Sequence, residues 1–138
     1  MTLADAGPLV ALIDSDEADH AVCVRALARL SRPLVTTWPA FTEAMYLLGR
    51  VAGWHGQDRL WQLVRQGDLL IECPDASMTL QATALMSRYR DAPMDLADAT
   101  LVAFAEARGL RRIFTLDRHF ATYQLTDRTF LEITPSRS

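Results

Sequence analysis

The chain has 138 residues, of which 50% are hydrophobic and 22% charged, with a net charge of −3. That is enough for one domain with its own core, and it excludes a disordered chain, a polycation that coats nucleic acid and, with no long apolar run, a membrane span. All 14 basic residues are arginine, so chemistry that requires a lysine is excluded.

Met1 to Ala4 reads as a short strand ending at Asp5. Gly7-Pro8 breaks the run, and Pro8 opens a short helix through Asp14. Asp14, Asp16 and Asp19 form an acidic turn before a helix from Glu17 to Leu30, which Ser31-Arg32-Pro33 ends. Leu34 to Thr37 is strand-like. A helix from Pro39 to Val51 follows, apolar nearly all round, as expected of a helix covered on more than one side. Gly49 and Gly53 frame a break before a helix from Trp54 to Gln66. Leu69 to Cys73 is strand-like. Asp75 or Ser77 caps a helix through Arg90, with Met78, Ala82, Leu85, Met86 and Tyr89 as its core stripe. The next helix runs from Asp95 to about Ala107. Arg112 to Leu116 is a strand ending at Asp117, Arg118 to Tyr123 a turn or short helix, and Thr129 to Ile133 a last strand before a polar tail. Cys23 and Cys73 have no CxxC spacing and read as core thiols. With an acid at position 5 and no basic leader, a cytoplasmic protein is expected.

Strands alternating with helices predict an α/β fold with a parallel sheet, whose ligand sites form at the carboxyl ends of the strands. Asp5 and Asp117 each follow a predicted strand. Two further acids break apolar helix faces. Ala40, Glu43, Ala44 and Leu47 share one face, and so do Asp98, Leu101, Val102 and Ala105. Burying a lone carboxylate is costly unless it is paired, hydrogen-bonded or bound to a cation. For the Asp98 helix a plainer account stands beside this one: Asp95 as N-cap and Asp98 as a first-turn acid.

All four acids can reach one edge of the sheet. Two carboxylates about 5 Å apart repel by roughly 3 kcal/mol at an effective dielectric near 20, so such a cluster calls for a cation. All-oxygen sites select Mg²⁺ or Mn²⁺. Their natural chemistry is phosphodiester hydrolysis, in which the ion activates water and neutralises charge on the phosphorus oxygens. Thr115, two residues before Asp117, can bring a hydroxyl close by.

The segments LADAGPLVALID, TTWPAFTEAMYLL, PMDLADATLVAFAEARGL and RRIFTLDRHF span nearly the whole chain. Together, in this order, they resemble a PIN domain of the small, stand-alone VapC-like type. The resemblance implies a three-layer α/β sandwich, with a central, mainly parallel sheet flanked by helices, as a single domain over residues 1–134 with a polar tail at 135–138. It implies a Mg²⁺- or Mn²⁺-dependent ribonuclease with Asp5, Glu43, Asp98 and Asp117 as its acidic quartet, and Asp95 and Thr115 near the metal. It further implies in-line attack of water on RNA, a homodimer, and a role as a toxin held inactive by a small antitoxin.

Other chemistries find less support. Leu12 to Asp16 resembles the DxD start of a haloacid-dehalogenase-type phosphatase but lacks the Lys of that site. Asp19 stands where an EF-hand needs Gly, and no GxxxxGK[ST], GxGxxG or GxSxG is present. His20, His55 and His119 share no ligand spacing; His119 reads as a surface residue beside the groove. Arg118 reads as a solvated charge or a phosphate contact. Trp38 and Trp54 read as packing or interface residues. Two alternatives remain: an inactive PIN-like binding module, which RNA cleavage would exclude, and a small-molecule phosphatase, which a chromogenic phosphate monoester would test.

Overall fold

The computed structural model describes residues 1–136. Strands and helices alternate along it: β1 (Thr2–Ala4), α1 (Ala6–Ile13), α2 (His20–Leu27), β2 (Leu34–Thr37), α3 (Trp38–Arg65), β3 (Leu69–Glu72), α4 (Ala76–Arg88), α5 (Leu96–Arg108), β4 (Arg112–Phe114), a 3-10 helix (Arg118–Thr122) and β5 (Glu132–Thr134). The end of the expected polar tail, Arg137 and Ser138, lies outside the described residues.

The strands pair in parallel in the order β3-β2-β1-β4-β5. A parallel sheet must be covered on both faces, and the short strands supply an apolar side chain to each. Leu3, Val35 and Ile113 pack with Met78, Leu85, Leu101 and Phe104 of α4 and α5. Their neighbours Ala4, Leu34 and Phe114 pack with Leu9, Phe41 and Leu48 of α1 and α3. The result is the expected three-layer α/β sandwich.

Where elements depart from expectation, local hydrogen bonds give the reason. The helix predicted from Glu17 begins at His20, because the acidic segment is spent on turns: Asp14 Oδ1 accepts from Asp16 N at 3.1 Å, and Asp14 O accepts from Glu17 N at 3.1 Å. The last strand, predicted from Thr129, begins at Glu132 and includes Thr134, because Thr129 is held in a turn by Asp127 Oδ1, 3.0 Å from its N–H. Cys73 is exposed rather than a core thiol, since β3 ends at Glu72; Cys23 is buried. The two helices expected either side of Gly53 form a hairpin. Gly53 has φ 62 and ψ −157, which turns the chain. The arms then pack side by side, with the Phe41 and Trp61 rings 5.0 Å apart and Gln57 Nε2 donating to Met45 O at 3.2 Å.

Candidate active site

The sheet order places β1 at the centre. The chain builds outwards to β2 and β3, then crosses back to lay β4 and β5 on the other side of β1. Such a reversal opens a crevice beyond the carboxyl ends of the two strands that flank it. Asp5 directly follows β1 and Asp117 lies just past β4, so both stand at this crevice. Asp98 arrives from α5 and Glu43 from α3. Asp5, Glu43, Asp95, Asp98 and Asp117 together line a cleft of about 300 Å³, with Gly7, Leu47 and Leu116 as its remaining wall.

Four of these acids hold helix starts, three as N-caps and Asp98 at the third helical position of α5, and these bonds fix their direction. Asp5 Oδ1 accepts from Ala6 N at 2.8 Å at the start of α1. Asp117 Oδ1 accepts from His119 N at 2.9 Å at the start of the 3-10 helix. Asp95 and Asp98 form a reciprocal capping box: Asp95 Oδ1 accepts from Asp98 N at 2.8 Å, and Asp98 Oδ2 from Asp95 N at 3.3 Å. Asp98 therefore caps its helix and faces the cleft at once. A hydroxyl pair secures this first turn, since Thr37 Oγ1 lies 2.8 Å from Thr100 Oγ1 and ties the end of β2 to α5.

One carboxylate oxygen from each of Asp5, Asp98 and Asp117 lies within 4.8 Å of the other two. Asp5 is 7% and Asp98 5% exposed, and Asp117 is half-buried. Thr115 links the set. Its buried hydroxyl donates to Asp5 Oδ2 at 2.8 Å and accepts from Asp117 N at 2.9 Å. Among the described residues, no arginine forms an ion pair with any of the three; Asp117 alone has a basic neighbour, His119 Nδ1 at 2.7 Å.

The electrostatics follow from burial and like charge. Burial, then the Asp95 charge, push the Asp98 carboxyl up to about 7. Burial raises Asp5, partly offset by its bonds from Thr115 and Ala6. Partial burial and the Asp5 charge raise Glu43. A concentrated set of carboxylates with no matching cationic side chain and oxygen-only donors fits a hard divalent cation.

The family model of the PIN domain matches residues 2–124. The chain belongs to the PIN domain family. This PIN domain is 28% identical over 118 residues to ribonuclease VapC26 of Mycobacterium tuberculosis, covering 85% of this chain and 87% of that protein. Its fold is shared with the crystal structure of VapC20 of Mycobacterium tuberculosis, described as a sarcin-ricin loop cleaving toxin: TM-score 0.81, 20% identity, 92% of this chain and 98% of the other. A toxin–antitoxin complex from Klebsiella pneumoniae gives a TM-score of 0.68 at 19% identity, covering 88% of this chain and 91% of that one.

The PIN domain does not treat its four expected acids alike. Asp5, Asp98 and Asp117 are drawn together. Glu43 lines the same cleft but is exposed at its rim, not buried as its apolar helix face suggested. Asp95 is likewise exposed and serves as a cap. Sequence reasoning missed Tyr123, whose hydroxyl donates to Asp98 Oδ2 at 3.3 Å. The two lie 25 positions apart in different elements, so no spacing signal connects them.

Proposed function

We propose that this PIN domain is a divalent-metal-dependent endoribonuclease and the toxin of a toxin–antitoxin pair. The approach of Asp5, Asp98 and Asp117 oxygens to within 4.8 Å of one another carries the reading. The names of its relatives support it: one is a ribonuclease, one a sarcin-ricin loop cleaving toxin, one a toxin–antitoxin complex. Asp5, Asp98 and Asp117 would hold the ion, with Glu43 at the rim. Mg²⁺ or Mn²⁺ there would neutralise charge on the phosphodiester and lower the pKa of water. The chain's own residues do the rest. Thr115 fixes the Asp5 carboxylate, and the capping box fixes Asp98. Glu43, exposed and raised in pKa by partial burial and Asp5, stands where it can exchange a proton with water at the cleft mouth.

Asp5→Asn and Asp98→Asn test this. Asparagine keeps a cap acceptor and removes the charge, so both variants should fold. Each should lose at least about 100-fold in cleavage of an RNA that wild type cuts with Mn²⁺. Cleavage at the wild-type rate by either would remove that residue from the site. The capping box gives Asp98 a structural reason to be present even in an inactive binding module. Such a module would show no cleavage in wild type with any RNA, Mg²⁺ or Mn²⁺.

The same reading makes the protein cytoplasmic, a single domain over residues 1–134, and a homodimer bound by its antitoxin. Among the described residues no helix is long and apolar enough to cross a membrane. Trp38, Tyr46, Val51 and Trp54 of α3 are 47%, 61%, 58% and 67% exposed, an apolar surface suited to a second copy. Sedimentation equilibrium that gives a monomer mass at micromolar concentration would remove the dimer.

A further inference from the structure

The segment after β4 leaves the acidic cleft and returns to it. Asp117 sits at its start. The 3-10 helix then buries Phe120, which is fully covered, and the turn brings Tyr123 back with its ring fully covered as well. The Tyr123 ring is held on two sides, by Tyr89 at 5.2 Å and by Phe120 edge-on at 5.4 Å. A ring held in this way gives its hydroxyl one place to point. That place is Asp98 Oδ2, 3.3 Å away, which also accepts from Asp95 N at 3.3 Å. Both bonds are longer than the ordinary range, so each alone is a loose restraint. Together they engage the same oxygen from two directions. Among the described residues Asp98 Oδ1 receives no hydrogen bond, both bonds falling on Oδ2.

A buried tyrosine needs a hydrogen-bond partner, and a backbone carbonyl would satisfy that need. Tyr89, in the same aromatic stack, meets only the backbone in this way, its hydroxyl accepting from Gln124 N at 2.8 Å. Tyr123 instead donates to a carboxylate of the cluster.

We propose that Tyr123 is a positioning residue of the metal centre, its phenol hydroxyl holding the Asp98 carboxylate so that the opposite oxygen faces the ion. The proposal rests on reading Asp5, Asp98 and Asp117 as a divalent-cation site. It assigns the loop from Asp117 to Tyr123 two tasks: it supplies one acid and orients another from the far side of the cleft.

The test is calorimetric titration of Mn²⁺ into the metal-free full chain, for wild type, Tyr123→Phe and Tyr89→Phe. Phenylalanine keeps the ring packing and deletes only the hydroxyl. Tyr123→Phe should bind Mn²⁺ about 10-fold more weakly, the loss typical of removing a group that orients a metal ligand. Tyr89→Phe, which deletes a neighbouring hydroxyl that does not touch Asp98, should bind as wild type does. Equal affinity for wild type and Tyr123→Phe would overturn the inference and leave the metal site standing. Equal weakening in both variants would also overturn it, since that is a loosened core. No Mn²⁺ binding by wild type would overturn the metal site and the inference with it. A Tyr123→Phe chain with lowered thermal stability still decides the matter, because titration at 10 °C compares folded proteins and Tyr89→Phe reports what a loosened core alone does to the affinity.

Discussion

At the scale of single residues, the site is made from side chains that also do structural work. Asp5, Asp95 and Asp117 are caps, and Asp98 completes a capping box. A cap uses one carboxylate oxygen on the helix start, and at Asp5 the other takes the Thr115 hydroxyl, so the carboxylate is held at the sheet edge. That is why strand-end acids were informative in the sequence: the position that ends a strand and begins a helix is the position that looks into the crevice. Thr115 joins two of these acids and is the most specific place to intervene. Thr115→Val keeps the shape and removes the hydroxyl. Asp5 then loses a donor and the Asp117 N–H loses its acceptor, which should cost about 1–3 kcal/mol of stability and weaken Mn²⁺ binding. Thr115→Ser should restore both in equilibrium unfolding and calorimetry. A Val variant as stable as wild type would show that water replaces the hydroxyl at no cost. Two residues resisted sequence reading for opposite reasons. Glu43 shares a helix face with Ala40 and Ala44, which are buried, yet it is exposed, because that part of the face looks out over the cleft. Tyr123 follows the pattern of a core aromatic and is one; its contact with Asp98 depends on how the loop folds back.

At the scale of elements, the α3 hairpin carries Glu43 and depends on one backbone conformation. Gly53 has φ 62 and ψ −157, a region open essentially to glycine alone. A Cβ there would have open space around it, so any cost of Gly53→Ala is backbone strain. The expected loss is about 1–3 kcal/mol, read as a lower denaturant midpoint with an unchanged m-value. A neutral substitution would mean the arms can reach their packing through another turn. The arms were legible as two helices because each has its own apolar stripe and glycines frame the join. Their antiparallel packing was not, because it rests on small residues meeting across the turn: a Cβ on Gly49 would come 2.6 Å from Gln57 Nε2. The order of the sheet was legible only as a class. Alternating strands and helices require a parallel sheet, but the placement of β1 between β2 and β4 is a property of the crossovers, which local pattern does not encode. The end of the sheet was misplaced by three residues at its start, where a turn at Asp127 competes with the strand for Thr129.

At the scale of the whole molecule, the acidic cleft sets how stability responds to pH and to cations. Asp98 is pushed up to about 7, mainly by burial, and Asp5 and Glu43 are shifted in the same direction. In the unfolded chain these groups return to about 4. Between the two values the native state binds more protons than the unfolded state, so stability falls as pH rises. The contribution is therefore full below about pH 4 and lost as pH passes through about 7. For Asp98 alone, after discounting for screening by solvent, the loss is about 1–2 kcal/mol, or roughly 3–8 °C in melting temperature. Metal-free protein should accordingly melt lower at pH 8 than at pH 5. Adding Mn²⁺ to 100 times its dissociation constant at pH 8 should raise stability by about 2.7 kcal/mol. The same addition at pH 5 should do less, because protons compete for the carboxylates. Asp98→Asn should flatten the metal-free pH slope and abolish the Mn²⁺ effect, while keeping an acceptor for the helix cap. Melting curves on the metal-free chain across this range decide the point. A melting temperature that climbs from pH 5 to pH 8 would mean that the carboxylates are individually solvated. A fall reversed by Mn²⁺ identifies a fold that stores charge repulsion at the carboxyl edge of its sheet, for a cation to relieve.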